Sequence, residues 1–293
     1  MTEKSFDRTR DDVGNILMME HVNVTIPSQE LATLFYVTGL GFTRDPYVIV
    51  STDNMWINVG RQQFHLPTRA TPQMVPEHIG LVVPVLGGLE ARLAAVKERL
   101  AGTKFAFQAD DGVLEVTCPW GNRFRCHAPG PRFGDMLLGV PYVEFLARPG
   151  SAEGIARFYR EVFQAPATVA QEREGAVARA QVGCGQWLVF RETTREVQPY
   201  DGHHIAIYIA NFSGPHASLL RHGLITEESD AHQYRFKEIV DPGTGQKLFT
   251  IEHEVRSFFH PMWGRDLVNR NAAQIQRSYI RGRDTFFAGV PPR

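Results

Sequence analysis

The chain has 293 residues, enough for one large domain or two moderate ones, each with its own core. Its 43% hydrophobic and 22% charged residues describe an ordinary soluble globular protein, and a formal net charge of −1 gives no reason to expect nucleic acid or an anionic membrane as partner. The three cysteines, Cys118, Cys126 and Cys184, form no CxxC pair, which argues against a zinc ribbon or a disulfide framework. No apolar run approaches the ~20 residues of a membrane span. The charged start of the chain has no signal-peptide core, so the cytoplasm is the expected location.

In chain order the same unit recurs. Residues 1–18 read as a polar tail. Residues 21–27 alternate like a strand, and Ser28 is placed to cap a helix over 29–38 that Gly39 and Gly41 end. Strands follow at 47–51, 54–59 and 62–66. The pattern restarts with a strand at 78–84, a helix over 89–100 stopped by Gly102, strands at 104–108 and 113–118, a Pro119-Trp120-Gly121-Asn122 turn, and a strand at 123–127. A Gly/Pro-rich connector spans 128–133. The third unit has a strand at 142–145, a helix over 152–163 and a last strand at 187–191. The fourth begins at His204, has a helix over 215–222, and ends with the turn 241–245 and the strand carrying Glu252. Residues 256–293 look like an arginine-rich extension over the outside. The expected division is 1–18, a pair of modules over 19–130, a second pair over 138–255, and 256–293.

Two stretches of the fourth unit carry the chemistry. Side chains on a strand alternate, so His204, Ala206 and Tyr208 share one face, as do Thr250, Glu252 and Glu254. If these strands lie side by side, an imidazole and a carboxylate converge as the start of a metal site. His203 faces the other way. Glu254 replaces Glu252 as the carboxylate if the register differs by two residues, which keeps the face.

Phe35-Tyr36-Val37-Thr38-Gly39-Leu40-Gly41-Phe42 resembles the helix end of the vicinal oxygen chelate superfamily, which includes glyoxalase I, extradiol dioxygenases and bleomycin-resistance proteins. Residues 158–163 (Phe-Tyr-Arg-Glu-Val-Phe) repeat it, and the turns at 118–122 and 241–245 look like that group's final hairpin. The resemblance covers roughly residues 20–255. It implies an α+β fold of four βαβββ modules, paired into two cupped mixed β-sheets with helices outside. It also implies a divalent metal held by the head of the first strand and the middle of the last strand of each module. The positions so mapped are His21, His78, Tyr142 or Glu144, and His204 on first strands, and His65, Arg125, Leu188 and Glu252 on last strands.

Two pairings stay open. Joining modules one with four, as in single-chain four-module glyoxalases, gathers His21, His65, His204 and Glu252, and leaves His78, Arg125 and Glu144 as a poor metal set. Sequential pairing, as in extradiol dioxygenases, gathers His204, Glu252 and Glu144 or Tyr142, and is favoured by chain length and by the connector. The metal candidates are therefore His204, Glu252, His21, His65 and Glu144. Fe(II) is the expected ion, with Mn, Ni or Zn as alternatives. His232 is a candidate general acid/base and Tyr234 a hydrogen-bond donor, on a strand beside that of Glu252. The resemblance implies a metal-dependent dioxygenase of the extradiol type acting on a small, oxygen-chelating and possibly aromatic substrate. A glyoxalase-like isomerase or lyase, and a metal-free binding protein, are the alternatives. A homo-oligomer is compatible with the sequence.

Overall fold

The computed structural model of the protein describes residues 8–48 and 51–269. Part of the expected strand at 47–51, the first seven residues of the tail and residues 270–293 lie outside the described residues.

Two eight-stranded mixed sheets form the frame. The first joins module one, β1 (Ile16–Asn23), β2 (Thr43–Arg44), β3 (Asn54–Val59) and β4 (Gln62–Pro67), to module four, β13 (His204–Ile209), β14 (Ile225–Asp230), β15 (Gln233–Val240) and β16 (Lys247–Arg256), in the order β14-β15-β16-β13-β1-β4-β3-β2. The second joins module two, β5 (His78–Val82), β6 (Ala106–Asp110), β7 (Val113–Thr117) and β8 (Arg123–His127), to module three, β9 (Tyr142–Ala147), β10 (Ala167–Glu172), β11 (Gly175–Gly183) and β12 (Gln186–Glu192), in the order β10-β11-β12-β9-β5-β8-β7-β6. At each seam two first strands meet antiparallel, β1 with β13 and β5 with β9. The sequential pairing favoured by the connector is thus corrected to one with four and two with three. A Gly/Pro-rich connector shows where the chain turns. It does not determine which sheet edge the next strand joins.

Each module keeps its helix on one face of its sheet. Ser28 caps the first, its Oγ accepting from the Leu31 amide at 3.2 Å. The helix α1 (Gln29–Ala32) then widens into a π-helical stretch, Thr33–Gly39. Gly41 follows at φ +79, where a Cβ would fall within 3 Å of the Arg92 guanidinium. Beyond it come α2 (Leu86–Val96), α3 (Ala152–Phe163) and α4 (Ser213–Arg221). The helices lie outside the cups, each with one buried face. Tyr36 packs against Phe64 of the first sheet and Phe124 of the second, and Phe158 and Tyr159 of α3 reach Phe236 and Phe190. Both sheets therefore share one aromatic core across the helix layer.

Residues 257–269 continue the chain past β16. They lie over the helix-free face of the first sheet: Trp263 stands edge-on to Tyr208 at 4.8 Å, Arg265 donates to Gln63 at 3.1 Å and pairs with Asp45 at 2.9 Å, and Asn269 bonds both backbone groups of Gly60. This strap crosses from β16 to the β3–β4 turn.

His253 on β16 faces the helices, fully buried and stacked 4.3 Å from Phe236. Its Nδ1 faces the Ile251 carbonyl at 2.9 Å and its Nε2 the Tyr159 hydroxyl at 2.7 Å, a set that satisfies the neutral ring with its proton on Nδ1. Burial lowers its pKa from 6.5 to about 4. The unfolded chain then binds more protons than the native one between those values, so stability present at pH 7 is lost as the pH falls through that window. By the linkage relation, the unfolding free energy of the wild type should drop by about 2 kcal/mol more between pH 7 and pH 5 than that of a Tyr159→Phe/His253→Leu double variant, measured by denaturant titration.

Candidate metal centre

The four central strands of the first sheet, β4, β1, β13 and β16, carry the site on the face turned away from the helices. On β1, His21 lies level with Gln63 of β4, and Asn23 with His65. On β13, His204 lies level with Glu252 of β16, and Ala206 with Glu254. His65 therefore stands two residues beyond the level of His21. The residue two beyond the level of His204 is Glu254, not Glu252. The pseudo-symmetry of the two modules thus matches His21 with His204 and His65 with Glu254.

The imidazoles of His21, His65 and His204 each present a nitrogen within 4.8 Å of the others. His21 and His204 are buried and His65 is half-buried. Nδ1 of His21 is held by Glu20 Oε2 at 2.5 Å, and Nδ1 of His65 lies 2.7 Å from the Asn23 side-chain amide. The Nε2 atoms of His21, His65 and His204 are buried without a hydrogen-bond partner. A ring fixed through Nδ1 with a free Nε2 is the arrangement of a metal-ligating histidine. For His65 it requires the Asn23 amide to present its oxygen, accepting the Nδ1 proton. Trp56 stacks on His65 at 4.0 Å and 11°, and meets His21 edge-on at 5.0 Å, which fixes both rings. Burial, with the charges of His21 and His204, lowers the His65 pKa to about 2, and burial lowers that of His204. Both shifts favour the neutral ring, the form that ligates a cation.

Around these rings runs a chain of ion pairs. Glu20 pairs with Arg256 at 2.9 Å, Arg256 with Glu254, Glu254 with Arg235 at 2.5 Å, Arg235 with Glu252 at 2.6 Å, and Glu252 with Lys237 at 3.2 Å. Glu254 Oε2 also lies 3.4 Å from His204 Nε2, while Glu252 Oε1 is 3.7 Å from His204 Nδ1. Burial raises the Glu254 pKa, but the nearby His204 and the charges around it, Arg256 and Arg235 among them, outweigh it and hold the carboxyl well below the usual range.

The structure brings together His21, His65 and His204 from the sequence candidates, with Glu252 at their edge. Glu144 lies in the other sheet, opposite His78 and bonded to Arg191 Nε at 2.6 Å, so it is removed from this site. Tyr234 is level with Val255, on the helix side, packed by Phe212 and His216. His232 sits in the β14–β15 turn, its ring 6.2 Å from Phe259. Neither faces the metal centre. The parity along β15 is the reverse of that expected, and Arg235, level with Glu254, is the residue that faces it. Sequence reasoning also missed Glu20 and Arg256, while Trp56, which it could place only as a lining or core aromatic, stands against His65 and His21. For Arg256 the signal was present, since it continues the alternation of Glu252 and Glu254.

The second sheet has the same positions with different chemistry. His78 stands where His21 does and Arg125 where His65 does. Tyr142 replaces His204, its ring lying across Gly80 and its hydroxyl 2.9 Å from His127 Nε2, and Val189 replaces Glu254. A guanidinium at a ligand position repels a cation. A cavity of about 290 Å³ opens there, lined by Glu77, Arg125, Glu144 and Arg191 among other charged side chains. The charged set expected for this pair of modules is the one observed.

Paired βαβββ modules with ligand positions on first and last strands define the fold of the vicinal oxygen chelate superfamily. Among solved structures, a Bacillus subtilis protein provisionally named a dioxygenase aligns at a TM-score of 0.56 and 14% identity, over 83% of this chain and 86% of that one. Glyoxalase I from Zea mays aligns at 0.55 and 12%, over 86% and 95%. At such identities the likeness is one of fold. No protein-family model and no curated protein sequence matches the chain. Among the described residues no helix is long and apolar enough to cross a membrane.

A single divalent ion per chain is the expected stoichiometry. His21→Ala, His65→Ala and His204→Ala should each lower metal affinity by about a hundredfold or more, a larger loss than the 10–100-fold of an outer partner. His78→Ala should leave it unchanged. Isothermal titration of the metal-stripped protein with Co(II) or Zn(II) reads both results.

Proposed function

We propose that the protein is a metal-dependent enzyme that acts on a small oxygen-chelating substrate, with His21, His65 and His204 holding the ion. The observation that carries this reading is the convergence of three imidazole nitrogens within 4.8 Å, the Nε2 atom of each ring being buried and without a hydrogen-bond partner. When bound, a divalent ion with three protein ligands keeps positions for two vicinal substrate oxygens, lowers the pKa of a bound hydroxyl, and with iron also supports oxygen chemistry. The protein's own part is to fix the rings through Glu20, Asn23 and Trp56, and to shield the reacting centre from water with the strap.

Between reaction classes, the carboxylates and the strand order support different readings. A general base must take up a proton near the working pH. Glu20, Glu252 and Glu254 are each paired with a guanidinium, and all three are held below the usual carboxylate range against the effect of burial, through hydrogen bonds and charges of neighbouring histidines and arginines. They are poor bases, which favours metal-centred oxidation of the extradiol type over proton abstraction by a side chain. The strand order favours the second reading, a glyoxalase-like isomerase or lyase, because joining modules one and four is the pairing of single-chain glyoxalases.

Metal analysis of the purified protein, followed by oxygen-electrode assays on catechols and enolisable ketones, separates the readings. Iron with oxygen-dependent turnover is the expected result. Zinc or nickel with oxygen-independent isomerisation selects the second reading. Absence of bound metal after incubation with each ion, with ligand binding undiminished in His204→Ala, overturns both in favour of a metal-free binding protein.

A further inference from the structure

The second cup gathers buried charge without a metal-binding set. Every side chain lining its cavity of about 290 Å³ is charged, four glutamates and four arginines. Strand alternation brings the central ones to the helix-free face. Glu144 of β9 is level with His78 of β5, and Arg125 of β8 with Gly80 of β5 and Glu115 of β7. Arg191 of β12 stands two residues past the level of Glu144. Glu77 and Glu144 are 8% and 5% exposed, so neither carboxylate is freely hydrated.

These groups are only partly satisfied by one another. Glu144 Oε1 accepts from Arg191 Nε at 2.6 Å, and Arg191 also reaches Glu172 at 2.6 Å. Glu77 lies 2.9 Å from Arg123 and 3.5 Å from Arg195. Arg125 donates only through Nε, to Glu115 Oε1 at 2.7 Å. Its two Nη groups, and Glu144 Oε2, hold no hydrogen bond among the described residues. In the first cup, by contrast, Arg256 engages a partner with Nε and with each Nη. Among the side chains that line the cavity or pair with them, glutamates 77, 115, 144, 172 and 174 face arginines 123, 125, 173, 179, 191 and 195, five against six. One positive charge is in excess. His78, 3.0 Å from Glu77 and 3.6 Å from Glu115, adds to that excess if protonated and leaves it unchanged if neutral.

We propose that the second cup binds a small hydroxylated carboxylate without a metal, its carboxylate on the Nη fork of Arg125 and a hydroxyl donating to Glu144 Oε2. A planar fork with two free donors matches a carboxylate bidentately. The excess positive charge selects a net anion over a zwitterion such as an amino acid. The wholly charged lining selects hydroxyls over hydrocarbon, and the volume lies at the small end of ligand pockets. This site stands apart from the three histidines and does not depend on how they are read.

Full-length protein stripped of metal is titrated with glycerate and followed by saturation-transfer NMR. Wild type should bind it, and Arg125→Gln should bind about tenfold more weakly or worse, the loss expected for charge-assisted hydrogen bonds. Arg125→Lys keeps the charge but not the fork. It should also bind more weakly, and it decides the matter if Arg125→Gln does not fold. Serine, with an ammonium in place of the 2-hydroxyl, and glycerol, without the carboxylate, should give no binding at the same concentrations. Absence of glycerate binding to wild type overturns the proposal, as does unchanged affinity in the Arg125 variants, or binding of serine or glycerol equal to that of glycerate. Binding that appears only once Co(II) is restored places the ligand on the histidines of the first sheet, and overturns it too.

Discussion

The antiparallel seam between β1 and β13 is the constraint on which the site depends. Strand side chains leave a sheet only every second residue, and neighbouring strands lie about 4.8 Å apart. Three imidazole nitrogens can therefore converge only if their strands are adjacent and in the right register. Here β4, β1 and β13 are consecutive, and Asn23 is level with both His65 and His204, which sets the two rings on either side of β1. The seam in turn is held by the shared aromatic core behind it. The same architecture in the second sheet, with β5 against β9, brings Arg125 and Tyr142 to the corresponding places and produces a charged hollow. The fold supplies positions, and the side chains at those positions decide what each cup can hold.

The first cup combines two kinds of polar group with different tasks. His21 and His65 are oriented by groups that take their Nδ1 atoms, leaving Nε2 facing inward. The carboxylates and guanidinia form a continuous chain of ion pairs from Glu20 to Lys237. Burying that many charges is tolerable because each has at least one partner of opposite sign at contact distance. One consequence is that the carboxylates give up their usefulness as bases, so the surroundings of the histidines are rigid and polar but chemically quiet.

Much of this was legible from the sequence. The four-fold recurrence of strand, helix and strands, and the repeated Phe-Tyr helix ends, indicated the paired-module fold, and alternation placed His204 with the face of Glu252 and Glu254. His21 and His65 followed from their places on the first and last strands. What the sequence did not carry was relative placement. Which modules share a sheet depends on strand edges meeting far apart in the chain, and the Gly/Pro connector at 128–133 pointed to the wrong partner. Register was the second gap: a two-residue difference between Glu252 and Glu254 leaves the alternation unchanged. Parity was the third. A turn at 231–232 shifts which residues of β15 face inward, and so exchanged Tyr234 for Arg235. Ring stacking, as of Trp56 on His65, has no pattern in one dimension.

The strap of residues 257–269 lies outside the four repeated modules, yet it closes one end of the cup through Trp263, Arg265 and Asn269. Its anchors are Tyr208, Gln63, Asp45 and Gly60, none of which is among the three histidines or the carboxylates around them. The enclosure of the site is thus encoded separately from its ligands. Substitutions in a dozen residues of a single-copy segment can reshape the entrance for a larger or smaller guest, while the duplicated strands that fix the imidazoles stay as they are.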